Sequence, residues 1–518
     1  MLASLETALK ERFKEKYQLG ELQSKLTVDQ FEKSIFYELK NTYGFIQLAD
    51  VATFESQIYF VLVNLEFHKK LIVTFPLNHH YRESISDIYP SASWYEREYV
   101  NQFIISDHKK LSPLFVSKEH PELNGFKRDL SVSEEIELSR EYLEVGPLGP
   151  HGQNIAKIGL ELDGDRICRL EFLPGFHRIA LEDSLRTKSY LQIPSLLESY
   201  FAPYSVEYAF SWYHAIELKL NLSITERAQA IRMVLLELSR ISGHLYVFER
   251  VFSQFKVDIE SFQLLGFKNS IHSLFNAYNK SQYGEGIIKL GGVCSDLPVG
   301  WISKCLSVLS ELSKSLHLLK RSFTNSNHWM SKTKTFEIEA TDALSYGLTG
   351  PSLRSSGINY DLRKVDPFYF YNEVQFEIPL GINGTNYDRY LVRLEEIFQS
   401  IQIILQVLDN LPLGESQTGP LRDLEELRKV DREQYIEKVR QGIVVESDLF
   451  YSSIEGTNGE LGQMFIGPIS KNSPAMVKLR TPSYSQLQSL ETLLKDASLV
   501  DLSTSFSIFG IETREVDR

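Results

Sequence analysis

This sequence is poor in cysteine, in long apolar runs and in positive charge, and each shortage closes a class of function. Three cysteines, Cys168, Cys294 and Cys305, are spread over 518 residues with no CxxC pair. The chain therefore has no disulfide framework, suits a reducing compartment, and offers no recognisable thiolate site for zinc, an iron–sulfur cluster or nickel–iron. No stretch approaches the roughly 20 uninterrupted apolar residues of a membrane helix. The best run, Ile58 to Val63, has strand length. A formal net charge of −13 argues against nucleic acid as a partner, because nucleic-acid binders carry basic patches. The opening segment MLASLETALKERFKEKY has acids and bases at helical spacing and no apolar h-region, so it does not read as a signal peptide. Solubility is the expectation, with any membrane association running through partners.

The length implies two or more domains. The first third reads as α+β. A charged helix over about 2–17 precedes β-type segments at 56–63 and 70–75, the second stopped by Pro76. Two strands so close suggest a sheet with helices on one side. Residues 117–152 are polar and acidic, with Asn124-Gly125 as a turn signal and Gly/Pro at the end, so the boundary is placed there. The division expected is an α+β domain over 1–130, a linker over 131–145 and a mainly α domain over 146–518. That second domain is a helix-bundle core with small β elements. Short β-type pieces at 155–162 and 166–173 flank Asp163-Gly164-Asp165 as a hairpin turn. The spacing then predicts helices from Ser223 (with Ser223 and Glu226 as a capping box), over about 302–319 and over about 387–408. The run 421–442 reads as a solvated charged helix.

Two constellations carry polar chemistry. Glu237, Arg240 and His244 fall three and four residues apart, hence on one helix face. That face is either a surface ion-pair ladder or a polar face turned toward a partner's cofactor, where Arg and His act as hydrogen-bond donors. The segment Gly347 to Arg363 is punctuated by Gly350 and Gly357 and carries Arg354, Asp361 and Arg363. It is either an ordinary surface loop or one that wraps a partner or lines a cavity. It is no phosphate loop, since the GxxxxGK spacing is absent. The pair His79-His80 and the isolated His108, His120 and His151 form no metal-ligand arrangement, and no hydrolase signature occurs. No metal site is expected.

Several of these segments resemble a known family. Trp94-Tyr-Glu-Arg-Glu98 looks like the ERE signature of the C-type component of complex I, with Asn101 where an acidic residue usually stands. Leu162-Asp-Gly-Asp165, Tyr190-Leu-Gln192, Glu226 to Arg232, Glu237 to Leu245, Gly291 to Pro298, Gly347 to Arg363 and Val516-Asp-Arg518 resemble the D-type component, in the family's order. The pattern is lost over about 415–455. The chain thus resembles a divergent fused C/D subunit of bacterial complex I, a superfamily that also holds the large subunits of membrane-bound nickel–iron hydrogenases. Nickel catalysis is excluded here because Glu198 to Tyr204 occupy the first CxxC position and contain no cysteine.

The resemblance implies a proton-translocating NADH:quinone oxidoreductase, with this chain a peripheral-arm subunit on the cytoplasmic face of the inner membrane. Its implied partners are an iron–sulfur small subunit of the B type, other peripheral-arm subunits and membrane-arm subunits. Quinone is the implied substrate; FMN and the iron–sulfur clusters sit on partners, and this chain binds none. Arg240 and His244 match positions that face the terminal cluster, and Ser199 falls where the family has a cluster-facing arginine. Gly149 and Gln153 fall where histidines meet the quinone head, Ala202 where a tyrosine does, and Gln254 where an aspartate pairs with the loop histidine. The HRGxEK segment reads His177-Arg-Ile-Ala-Leu-Glu-Asp183. Quinone reduction consumes two protons. Gln donates a hydrogen bond but no proton, and Ala does neither. His151 and Tyr200 are the candidate substitutes. A scaffold or accessory paralogue with an altered or absent quinone site is the alternative.

Overall fold

The computed structural model describes residues 2–19, 23–77, 83–99, 114–115, 141–145, 157–255, 257–324, 326–418, a few positions between 431 and 446, 448–467 and 472–518. His79, His80, Asn101, His108, His120, Gly149, His151 and Gln153 lie outside these residues, as does nearly all of the charged run 421–442.

The N-terminal part opens with helix α1 (Leu2–Phe13), whose Leu5, Leu9 and Phe13 recur every four residues and are buried. Strands β1 (Tyr17–Gln18) and β2 (Ser24–Thr27), helix α2 (Lys33–Asn41), and strands β3 (Gln47–Phe54), β4 (Gln57–Asn64) and β5 (Lys69–Pro76) follow, then helix α3 (Ala92–Glu98). The sheet order is β1-β2-β5-β4-β3, antiparallel except for the β2–β5 pair. The run Ile58 to Val63 is apolar at every position because both of its faces are covered. Ile58, Phe60 and Leu62 join the core that includes Phe36 and Leu39 of α2. Tyr59, Val61 and Val63 point the other way, into a second core. A bulge between Leu48 and Asp50 of β3 inserts one residue, so Leu48 and Val51 share the first face while Ala49 and Ala52 share the second.

Strand β6 (Glu141–Val145) lies inside the span expected as linker, and pairs with β7 (Lys157–Asp163), which pairs with β8 (Arg166–Leu173) across the Asp163-Gly164-Asp165 turn. Then the chain turns helical: α4 (Leu181–Arg186), α5 (Ile193–Tyr200), α6 (Ser205–Lys219), α7 (Glu226–Gln254) and α8 (Asp258–Asn279). A short ribbon, β9 (Ile288–Lys289) and β10 (Gly292–Val293), leads to α9 (Trp301–Thr324), α10 (Asn327–Thr333), α11 (Ala340–Ser345), α12 (Gly350–Arg354), α13 (Leu362–Val365) and α14 (Asn386–Asp409). The expected cap of α7 is displaced by two residues. Thr225, in extended conformation, accepts from the Ala228 N–H, and Ser223 stands outside the helix. Helix α14 carries a full capping box between Thr385 and Asp388. The long helices α7, α8, α9 and α14 pack as a bundle, with Leu309, Leu312, Leu316, Leu394, Ile397, Ile401 and Ile404 buried between them. None of the described helices is long and apolar enough to cross a membrane.

The chain closes with β11 (Leu449–Glu455), β12 (Glu460–Ile466) and β13 (Met476–Arg480), then α15 (Pro482–Leu493), α16 (Leu499–Ile508) and α17 (Thr513–Val516). This last sheet is covered on both faces. Phe465 meets Trp212 of α6 at 5.6 Å between centroids. On the opposite face Leu449, Tyr451, Met464, Ile466 and Met476 meet the outward face of the N-terminal sheet. The two halves of the chain are thus joined sheet to sheet. Because both faces of β4 are core, Val61→Ala and Leu62→Ala are each expected to lower unfolding stability by more than about 1.5 kcal/mol in denaturant titrations. A one-sided sheet would leave Val61→Ala within about 0.5 kcal/mol of the parent.

Candidate functional site

Glu237, Arg240 and His244 lie on one face of α7, as their spacing requires, but that face is no surface ladder: all three are buried. Their partners come from the glycine loop, α14 and the β11–β12 turn. Arg363 binds Asp361 through Nε and Nη2 at 3.0 and 2.7 Å, and its Nη1 reaches Glu237 at 3.2 Å. Arg354 donates to Glu396 at 2.9 and 2.6 Å, to Glu455 at 2.8 Å and to the Tyr360 carbonyl at 3.0 Å. Arg240 donates to the carbonyls of Glu455 and Gly456 at 2.7 and 2.9 Å and lies 3.3 Å from Glu237. Burial opposes ionisation of Glu396, yet Arg354 and His244 hold its carboxyl well below the ordinary carboxylate range. Asp361 is drawn down to about 2 by Arg363 and Arg354 against the same cost. Burial pushes His244 down to about 4, only partly opposed by Glu396, so its imidazole is neutral at pH 7. Arg393 can only donate, so His244 Nδ1 accepts from it at 3.2 Å and Nε2–H donates to Glu396 at 3.0 Å. The glycine loop is interior, not surface. Gly350 has φ +63°, and a Cβ there would stand 2.5 Å from the Gly459 Cα.

The Trp94 to Glu98 segment divides its carboxylates between the two halves of the chain. Glu96 accepts from Ser84 Oγ and the Ile85 N–H within the N-terminal half, at 2.7 and 2.8 Å. Glu98 reaches across, accepting from Lys478 Nζ at 2.6 Å and Tyr484 OH at 3.0 Å. Lys478 also meets Glu182, and Arg518 Nε donates to Glu182 at 3.0 Å. The terminal Val516-Asp-Arg518 segment is therefore wired to α3 through a buried ion cluster. Both motifs stand out in the sequence, but nothing there places them together; alternating charge in an otherwise apolar α3 is the signal available.

The preceding residue of that segment closes on Tyr200. Asp517 accepts from the Gly175 N–H at 2.6 Å and the His177 N–H at 2.7 Å. The Tyr200 hydroxyl, at the end of α5, shares its one hydrogen between the carbonyls of His177 and Asp517 at 3.1 and 3.4 Å. Burial, with Asp517 adding to it, pushes the half-buried phenol up to about 12, so it stays protonated at neutral pH. Ala202 follows it with only a methyl group. Ser199 is exposed and donates to the Ser195 carbonyl at 2.8 Å. Gln254 bonds to α16 instead, donating to Ser503 Oγ at 2.7 Å and accepting from Ser507 Oγ at 3.0 Å. Tyr204 packs its ring over Gly243 of α7, where a Cβ would meet it at 2.8 Å. Among the described residues no group of His, Cys, Asp and Glu is arranged to hold a metal ion. Cys305 is buried and its thiol pushed up to about 12, so it is not a ready thiolate.

The ionic core pairs its charges among its own residues, while the Tyr200 region has a half-buried protonated group. Glu396→Gln, which removes one of the carboxylates that meet Arg354 and the one that meets His244, is expected to cost about 3–5 kcal/mol in thermal or denaturant unfolding. Glu396→Leu with Arg354→Met should cost clearly less than the sum of its two single changes.

Comparison with known proteins places this geometry. Residues 263–518 match the family described as respiratory-chain NADH dehydrogenase, 49 Kd subunit, and residues 28–134 match that described as the 30 Kd subunit. The chain is 29% identical over 412 residues to the D-type NADH-quinone oxidoreductase subunit of Myxococcus xanthus, covering 77% of this chain and 98% of the relative. It is 28% identical over 465 residues to the C/D-type subunit of Bdellovibrio bacteriovorus, covering 83% and 82%. It is 30% identical over 384 residues to the D-type subunit of Desulforamulus reducens, covering 72% and 97%. With a 30 Kd-type segment ahead of a 49 Kd-type segment in one polypeptide, the chain belongs to the family of fused C/D subunits of complex I, the NADH-quinone oxidoreductase.

Proposed function

We propose that this chain is a core peripheral-arm subunit of a proton-translocating NADH:quinone oxidoreductase and forms one wall of the quinone cavity, beside the terminal iron–sulfur cluster of a B-type partner. In this reading 1–130 is the C-type part and 146–518 the D-type part. FMN and the clusters stay on partner subunits, and contact with membrane-arm subunits keeps the assembly at the cytoplasmic face of the membrane. The observation that carries the reading is Tyr200: a protonated, half-buried phenol two residues from the position where the family's tyrosine falls, with its hydroxyl held, among the described residues, by backbone carbonyls.

The chemistry asks for two electrons and two protons per quinone. The partner's cluster would supply the electrons. The O–H bond of Tyr200 breaks as its proton passes to one quinone oxygen, and the phenolate regains a proton from solvent. A ring N–H of His151 gives its proton to the other oxygen and the imidazole regains one from solvent. Arg240 and His244 then act from behind, bracing the wall nearest the cluster through Glu455, Gly456 and Glu396. Gln254 and Ala202 have no proton to give, and Gln254 is already committed to Ser503 and Ser507. That commitment is what favours the second reading, a scaffold paralogue whose quinone site is altered or lost.

In the assembled complex, Tyr200→Phe and His151→Ala are each expected to slow quinone reduction by about tenfold or more, with NADH oxidation by a hydrophilic artificial acceptor unchanged. Undiminished quinone rates in both variants would sink the donor assignment and favour the scaffold reading. Since the Tyr200 phenol lies near 12, its deprotonation should produce no alkaline fall in quinone reduction between pH 7 and about 10; a wild-type rate that falls there, and does not in Tyr200→Phe, contradicts the assignment.

A further inference from the structure

We propose that Asp517 is a positioning residue for the Tyr200 hydroxyl, holding the carbonyl pair on which that hydroxyl rests; the inference depends on the reading of Tyr200 given above. The hydroxyl's two acceptors, His177 O and Asp517 O, come from segments 340 residues apart in sequence. Nothing in the local backbone brings them together. The Asp517 side chain does, by accepting one N–H from Gly175 and one from His177. A single carboxylate therefore fixes both halves of the cradle: it anchors the 175–177 turn, and the same residue presents its own carbonyl to the phenol.

The clasp is rigid where it needs to be. Asp517 is fully buried, and on its C-terminal side Arg518 is locked to Glu182. Gly175 holds φ +116°, a backbone state that side chains other than glycine adopt only under strain. The cradle itself is loose. At 3.1 and 3.4 Å its bonds are longer than the roughly 2.7–2.8 Å of a good O–H···O contact. A better acceptor, such as a quinone oxygen, can take the hydrogen at small cost while the ring stays aimed. Asparagine at 517 would offer one acceptor and one donor to two N–H groups, so one of the two must be released.

The clasp also sets an acid limit. Burial pushes the Asp517 carboxyl up to about 6, opposed by the His177 and Gly175 N–H groups and by Arg178. The groups acting on it are the His177 and Gly175 N–H groups and Arg178 from the turn and Tyr200 from α5, whose carbonyl in turn accepts from Arg514. Ionised at pH 7, the carboxylate accepts two N–H bonds; protonated below about 6, it accepts them less well and the cradle loosens.

The test uses the assembled membrane complex, NADH as donor, a short-chain quinone and, separately, ferricyanide as acceptor. D517N is expected to lower the quinone-dependent kcat by at least about fivefold, as small displacements of reacting groups do, with the ferricyanide rate unchanged. It should remove an acid limb near pH 6 present in the parent, and add no further loss to Y200F. A D517N enzyme with parental rate and pH profile, or one whose loss multiplies fully onto that of Y200F, overturns the proposal. If D517N does not assemble, D517E serves: it keeps the charge on a longer arm and should slow quinone reduction with a shifted acid limb, and parental behaviour overturns the proposal. A slow Y200F beside a normal D517N removes only the role of Asp517. An undiminished Y200F removes the reading of Tyr200 itself, and this inference with it.

Discussion

A guanidinium withdrawn from water must be met by acceptors along its whole fork, and at the centre of this protein three arginines impose that demand together. Arg354 and Arg363 are met along their whole forks, and Arg240 through its two terminal nitrogens with its Nε 3.3 Å from Glu237, by Glu237, Asp361, Glu396, Glu455 and a set of carbonyls contributed by the glycine loop and the β11–β12 turn. No member can shift without stranding another charge. The network therefore dictates how the bundle, the loop and the C-terminal sheet meet. It explains why the loop needs glycine at 350, where the β11–β12 turn passes too close for a side chain.

From that centre the structure extends in two directions. Outward, the C-terminal sheet meets the N-terminal sheet face to face, with Val61 and Tyr59 against Tyr451 and Met464, so the fused polypeptide is one packed object across this seam. Along the seam's edge, Glu98, Glu182, Lys478 and Arg518 form a second ion cluster. Arg518 adjoins Asp517, and Asp517 holds the Tyr200 cradle. The orientation of a single phenol thus depends on a chain of contacts reaching back to α3.

In the proposed reading the ionic core belongs to the family's scaffold, while the side chains assigned to the quinone wall differ from the family's. On that reading, Arg354, Glu237 and Arg363, whose replacement would strand a buried charge, match the family, and Ser199, Ala202 and Gln254, which are free of such ties, are the positions that depart from it. Losing a hydroxyl or carboxylate at such a position leaves no buried charge unpaired. Losing one from the ionic core does.

Much of the fold is legible in the residues alone, because it rests on local rules. Apolar intervals of three and four mark α7, α9 and α14; continuous β-branched and aromatic runs mark β4 and β5; Gly164 marks a hairpin. The helix start at Thr225 rather than Ser223 lies beyond such rules, since both residues can cap and only packing chooses. The face of Glu237, Arg240 and His244 is readable as a face, but not as buried: spacing tells which side chains travel together, not what covers them. The glycine loop likewise reads as polar and therefore open to solvent, whereas its charges are interior because they pair among themselves. The Asp517 clasp, the Glu98–Lys478 link and the two-faced N-terminal sheet join residues hundreds of positions apart. Sequence determined the elements and the chemistry each could carry. Tertiary structure alone decided which charges meet out of water and where the Tyr200 hydroxyl points, because those follow from long-range packing that no local pattern encodes.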